Sequence, residues 1–158
     1  MKKLFAVAVA VGLALGTPGA ALAKGPTAKI IITGGRLASP LEVTAPEVVK
    51  QFNPWGSEFR DGARRAAKLD APARWPQPYE VQFYVRLSDD DIRLMYVIYY
   101  LLSPPNQRGY IYLPVRGEQW HGHNAQTMGT TTGWFHASRE WDTLIKPLIE
   151  GAEAGQRR

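Results

Sequence analysis

His121 and His123 stand one residue apart in "EQWHGHNAQ", Glu118 to Gln126, with Trp120 beside them. In an extended segment, alternate side chains share a side, so both imidazoles could close on one ion. Zinc would need at least a third protein ligand, and His136, Glu118 or an acid of Asp89, Asp90 and Asp91 would have to supply it. The chain has no HExxH, and Gly122 loosens the backbone between the two rings. The pair therefore reads first as a polar loop bordering a sheet and second as a metal site on His121 and His123. No cofactor is expected.

Other chemistries have less to stand on. His136, Ser138 and Asp142 could form a hydrolytic set, yet Ser138 is better placed as a helix N-cap, and no G-x-S-x-G elbow is present. The chain has no cysteine, which removes thiol nucleophiles. "DDD" at Asp89 to Asp91 lacks the alternation and glycine of a calcium loop and reads as a turn. Neither GxGxxG nor GxxxxGK[ST] occurs, so no phosphate loop is indicated. Tyrosine is the more abundant resource: Tyr84, Tyr96, Tyr99, Tyr100, Tyr110 and Tyr112 crowd one region. Such rings either pack across strands or form a platform for a sugar or peptide, with Trp120 at its edge. Packing is the primary expectation. The ligand-binding candidates are Trp120, His121, His123, Tyr84 and Tyr99, with no catalytic residue assigned.

The elements that must position these residues follow from periodicity. "EVQFYVRL" alternates Val81, Phe83, Val85 and Leu87 with polar partners, which predicts a strand with one buried face. After the "SDDD" turn, "IRLMYVIYYLL" is apolar on both sides, with Ile92, Leu94, Tyr96, Ile98 and Tyr100 expected on one, and reads as a central strand. "YIYLPV" follows the loop "SPPNQRG" as a third strand, with Pro114 near its end. Three such strands make an antiparallel meander. "KIIIT", "LEVT" and "WFHA" add shorter strands. Thr44, Pro46 and Glu47 predict a capped early helix carrying Val48, Val49 and Phe52. Arg60 to Asp70 reads as a short basic helix, and Gly117 to Gly133 as irregular. From Ser138, the spacing of Trp141, Leu144, Ile145, Leu148 and Ile149 predicts an amphipathic helix, kinked or ended at Pro147. The fold class is α+β: an antiparallel meander sheet, a short N-terminal helix, and a C-terminal helix on one face.

The first residues address the product. Lys2 and Lys3 precede the uncharged run Leu4 to Gly16, then Pro18-Gly19, then Ala21-Leu22-Ala23. That is the pattern of a Sec-type signal peptide, residues 1–23, with cleavage between Ala23 and Lys24. The apolar run is well short of the roughly 20 residues a spanning helix requires. Residues 24–158 are then one globular domain, with its core at about 29–150 and a mobile polar tail at 151–158. A chain of this size buries roughly two thirds of its unfolded surface and can dispense with disulfides. The formal charge of +5 falls when the leader takes two lysines, too mild a balance for nucleic acid.

"IITGGRLASPLEVT", "FNPWGSEF", "GYIYLPV" and "GWFHASREWDTLIKPLI" together resemble a family of small secreted bacterial proteins of unknown function. The resemblance spans most of Lys29 to Ile149 and implies one exported domain; it transfers no activity. The expected role is a non-catalytic module that binds a ligand or protein in the periplasm or outside the cell. A small extracellular hydrolase using His121, His123 or His136 is the alternative.

Overall fold

The structure, a computed structural model, describes residues 25–65, 77–104, 106–128 and 131–156. The predicted leader and residues 66–70 of the expected basic helix lie outside the described residues.

Strand alternation builds the sheet. β4 (Tyr79–Ser88) and β5 (Asp91–Leu101) form its centre, pairing antiparallel from Tyr79↔Tyr100 to Ser88↔Asp91. β1 (Thr27–Gly34) lies along the other edge of β4, and β2 (Leu41–Val43) along β1. β6 (Tyr110–Leu113), β7 (Gly133–Ala137) and β3 (Arg60–Arg65) extend the sheet beyond β5. The order is β2-β1-β4-β5-β6-β7-β3, with every pairing antiparallel. The α+β class and the predicted meander are both present. Arg60 to Arg65 corrects the sequence reading, being an edge strand against β7 instead of a helix. The free edge of β7 offered its backbone partners.

One face of the sheet carries the core. Ile30, Ile32, Val81, Phe83, Tyr96, Ile98, Tyr100, Ile111 and Phe135 are buried there against helices. α1 (Pro46–Gln51) adds Val48, with Phe52 just beyond it, while α3 (Arg139–Leu144) and α4 (Lys146–Gln156) add Trp141, Ile145 and Ile149. The Trp141 indole is fully buried, 4.8 Å from the Phe52 ring, 5.8 Å from Tyr100 and 6.1 Å from Phe83.

Several local expectations need correction. The N-cap of α1 is Ala45, with no side-chain cap bond, in place of Thr44. Pro46 takes the first helical position and forces its predecessor to be extended, which moves the cap one residue along. Ser138 does cap α3, its hydroxyl accepting from the Trp141 N–H at 3.0 Å. The chain breaks at Ile145, and Pro147 sits harmlessly in the first turn of α4. Leu148 turns outward, 38 % exposed. In β5 the pairing steps from Phe83↔Tyr96 to Tyr84↔Leu94, leaving Met95 as a bulge. The bulge reverses the alternation, so Leu94 shares the side of Tyr84 and not that of Tyr96.

The expected mobile tail, 151–158, is helical as far as Gln156. Glu153 is 2 % exposed and meets Arg36 at 2.8 Å, while the Tyr79 hydroxyl donates to it. Gln156 accepts from the Ala38 N–H at 2.6 Å. Both partners lie in the β1–β2 connection, so the polar residues that looked like a tail are the pins that dock α4.

Asp142 ties α3 to the sheet by accepting from the Tyr100 hydroxyl at 2.6 Å and from the Gly109 N–H at 3.0 Å. A Cβ at Gly109 would lie 2.5 Å from the Tyr100 ring and 2.9 Å from Asp142 Oδ1. We predict that Gly109→Ala forces this joint apart and costs about 1–3 kcal/mol, read from urea unfolding. A midpoint unchanged from the parent would refute the packing described.

Candidate functional site

The face of the sheet opposite the core holds the residues with chemical potential. β5, β6 and β7 are in register there: Tyr99 pairs with Tyr112, and Tyr112 with Trp134. Cross-strand partners point to the same side, so the three rings form one row. Their centroids are 6.3 Å apart from Tyr99 to Tyr112 and 4.7 Å from Tyr112 to Trp134. All three are half-buried. A second row runs beside it, Leu101, Tyr110 and His136, with the Tyr110 and His136 rings 4.9 Å apart.

The segment after β6 forms the wall of this row. Gly117 and Trp120 have positive φ, +95° and +69°, and turn the chain back over the sheet. α2 (His121–Met128) follows, where the sequence reading expected an irregular loop. Asn124 explains its position. β6 accompanies β5 only from Tyr99 to Leu101, and Pro114 follows its last residue. Proline has no N–H for the ladder. The Asn124 side chain takes over: it accepts from the Val97 N–H at 2.9 Å and donates to the Val97 carbonyl at 2.5 Å. The Val97 side chain lies on the face away from the core, yet it is 0 % exposed, because α2 covers it. Around Val97 the central strand is thus enclosed on both sides, while Ile92 and Arg93 are exposed and Tyr99 is half-exposed. Asn124 was missed in the sequence, because an asparagine that completes a strand from another element has no local signature.

Helical geometry separates the two histidines. Residues two apart on a helix diverge by about 200°, so His121 and His123 cannot converge as they would in a strand. The His123 ring packs edge-on to Trp120 at 5.7 Å, and His136 lies with Tyr110. Among the described residues no group of three His, Cys, Asp or Glu side chains gathers as a metal would require. The imagined hydrolytic set is not assembled either. Ser138 caps α3, and Asp142 is bonded to Tyr100 on the core side, while His136 lies on the opposite face.

Of the five ligand-binding candidates, the structure brings Tyr99 and Trp120 to the ring row. Trp120 donates its indole N–H to Glu80 Oε2 at 3.2 Å, beside Tyr99 in the β4–β5 ladder. Tyr84 lies on the same face, with Lys29 over its ring at 5.4 Å. His121 and His123 belong to α2. Tyr112, Trp134, Glu80 and Glu118 were not among the candidates. Once the register of β5, β6 and β7 is known, the two aromatic residues follow from period-two alternation.

The row opens into a cleft of about 350 Å³ bounded by Pro78, Tyr99, Tyr112, Glu118, Gln119 and Trp134. Glu118 accepts from the Tyr112 hydroxyl through both oxygens, at 2.8 and 2.7 Å, and from the Val115 N–H at 3.0 Å. Glu80 accepts from Gln82 at 2.7 Å as well as from Trp120. Two carboxylates therefore flank the rings. Burial and then the Glu118 carboxylate push Tyr112 up to about 12. Burial, then Glu80 and Glu118, also raise Tyr99.

A larger depression of about 590 Å³ lies near the β3 edge, at Arg60, Asp61, Arg108 and Arg139. Its three arginines face three carboxylates, Glu58, Asp61 and Glu140. Arg108 meets Asp61 at 2.6 Å, and Arg60 lies over the Phe135 ring at 4.8 Å. Its lining arginines and carboxylates are equal in number.

Comparison with protein-family models, with curated proteins and with solved structures finds no match. The reading of the site rests on its own geometry.

Two predictions follow from this arrangement. Asn124→Ala leaves the Val97 N–H and carbonyl buried without partners and should cost about 2–3 kcal/mol in chemical denaturation; a loss within experimental error would show that Asn124 does not secure the strand. Glu118→Gln removes the charge that opposes the phenolate, so the Tyr112 titration should move down from about 12 toward the ordinary tyrosine value. Because the folded pKa is raised, this phenol's contribution to stability is complete below the ordinary value and is lost as pH rises through about 12. Phenolate absorbance across alkaline pH, compared with a Tyr112→Phe control, measures the shift.

Proposed function

We propose that the chain is an exported binding module, acting in the periplasm or outside the cell, which holds its ligand against the Tyr99–Tyr112–Trp134 row. The observation that carries this reading is the row itself: three rings in register across adjacent strands, half-exposed, at the mouth of a cleft. Its volume falls at the lower end of the ~300–1,000 Å³ typical of small-molecule sites. The protein meets its packing needs on the other face, where Trp141, Tyr96, Tyr100 and the buried phenylalanines already fill the core. Aromatic surface beyond that requirement is what recognition sites use.

Export rests on the leader pattern of residues 1–23, and two further features are compatible with it. The chain has no cysteine to be oxidised, and no helix among the described residues is long and apolar enough to cross a membrane.

The test uses the protein expressed with its own leader and recovered from the envelope fraction or the medium, with Lys24 as its first residue. Applied to glycan, peptide and small-molecule arrays, it should give a reproducible hit that Trp134→Leu weakens more than tenfold, the usual effect of removing a central aromatic anchor. A hit untouched by Trp134→Leu would move the site elsewhere. Silence on every array would remove the reading.

A further inference from the structure

The chemistry of the cleft narrows its ligand. Three aromatic rings line the cleft, Tyr99, Tyr112 and Trp134, and the face of an aromatic ring carries the negative part of its quadrupole. Glu118 forms part of its wall, and Glu80 stands behind Tyr99 and Trp120. No basic side chain is among the described residues that line it. Lys29, on the same face, is paired with Glu42 at 3.0 Å and lies against Tyr84. Half-buried rings and an exposed carboxylate thus combine into one negative surface.

The carboxylates offer charge with few free acceptor positions. Glu118 already receives two donors, the Tyr112 hydroxyl, whose single proton is shared between both oxygens, and the Val115 N–H. Glu80 is bonded to Gln82 and Trp120. A primary ammonium entering here would surrender strong hydration and find few acceptors for its three N–H groups. A fully alkylated ammonium has no N–H to satisfy and is weakly hydrated. It gains from both ring faces and the unshielded charge. A sugar has the opposite requirement, many directed hydrogen bonds, and the polar groups here are largely engaged with one another.

We propose that the Tyr99–Tyr112–Trp134 cleft binds an organic cation through a quaternary ammonium group, with Glu118 and Glu80 supplying the countercharge. This rests on the binding reading above and deepens it. Burial first, and then the neighbouring carboxylates, raise the titration of Tyr112 and Tyr99, which is compatible with carboxylate charge beside both rings. Neutral phenols also keep Tyr112 donating to Glu118, which holds the carboxylate at the cleft wall.

The test titrates the full mature chain with choline, with its neutral carbon isostere 3,3-dimethylbutanol, and with butylamine as a primary ammonium. Tryptophan fluorescence and the amide resonances of Tyr112 and Trp134 report binding. Choline should saturate and should bind at least about fivefold more tightly than either analogue, the gain expected from a cation over ring faces. Glu118→Gln, which preserves shape, should weaken choline several-fold with an unchanged circular dichroism spectrum. Trp134→Leu should weaken it at least as much. Equal binding of the neutral isostere, preference for butylamine, or no saturable choline response would each overturn the cation proposal. The binding reading is judged separately: an uncharged array hit that Trp134→Leu abolishes would retain it while the cation proposal fails, and a silent array would end both.

Discussion

β5 runs for eleven residues but has β6 beside it for only three of its pairings, Tyr99 to Leu101. Where β6 departs at Pro114, a central strand would be left with an unpaired N–H and carbonyl inside the protein. Each such group costs about 1–3 kcal/mol when buried without a partner. Asn124 fills that gap with one side-chain amide, whose donor and acceptor match those of Val97. The consequences extend outward. Fixing Asn124 fixes α2; fixing α2 seals Val97 and sets Trp120 against Glu80; and the turn before α2 carries Glu118 to the Tyr112 hydroxyl. The wall of the cleft is therefore a by-product of a backbone requirement several residues away.

The two sides of the sheet divide the aromatic supply. Tyr79, Tyr96 and Tyr100 point to the core, where each is at most 3 % exposed. Burial pushes Tyr96 up to about 12, and burial reinforced by Asp142 raises Tyr100 further. These hydroxyls serve as struts: Tyr100 to Asp142 and Tyr79 to Glu153. Tyr99, Tyr110 and Tyr112 occupy the alternate positions and remain half-exposed. A single period-two pattern thus produces a filled interior and a row of rings on the surface, without any residue having to serve both.

Much of the framework was legible because it depends on local periodicity. Val81, Phe83 and Val85 announced β4, the Ser138 cap announced α3, and the spacing of Trp141, Ile145 and Ile149 gave the buried stripe. What could not be read depends on distant partners. Nothing in "HGHNAQ" marks a helix, since its apolar content is slight; its position is secured by Asn124 reaching across to Val97. Glu153 and Gln156 looked like solvent-facing tail residues until the β1–β2 connection supplied Arg36 and Ala38. Arg60 to Arg65 looked helical because an open sheet edge is invisible from sequence. The ring row was half legible. Tyr99 and Tyr112 belong to the tyrosine set that the sequence offers as a platform, but which of that set share a face, and that Trp134 joins them, follows only from register, which a one-residue slip would erase.

The charge of the chain sharpens what the cleft must do. The sequence is basic, with a formal charge of +5 and a pI near 9.6. A cation approaching from a distance is therefore not drawn in by the global field, which in any case fades over about 10 Å at 0.1 M salt. Attraction has to come from groups at contact range, and those are Glu118, Glu80 and the three rings. Exposed charge pairs contribute little in water, so the carboxylates alone would not suffice. The half-buried ring faces add to the same charges at contact range, where a cation meets both together. The arrangement favours a soft, poorly hydrated cation over inorganic ions and lysine-like amines, whose hydration the cleft cannot replace.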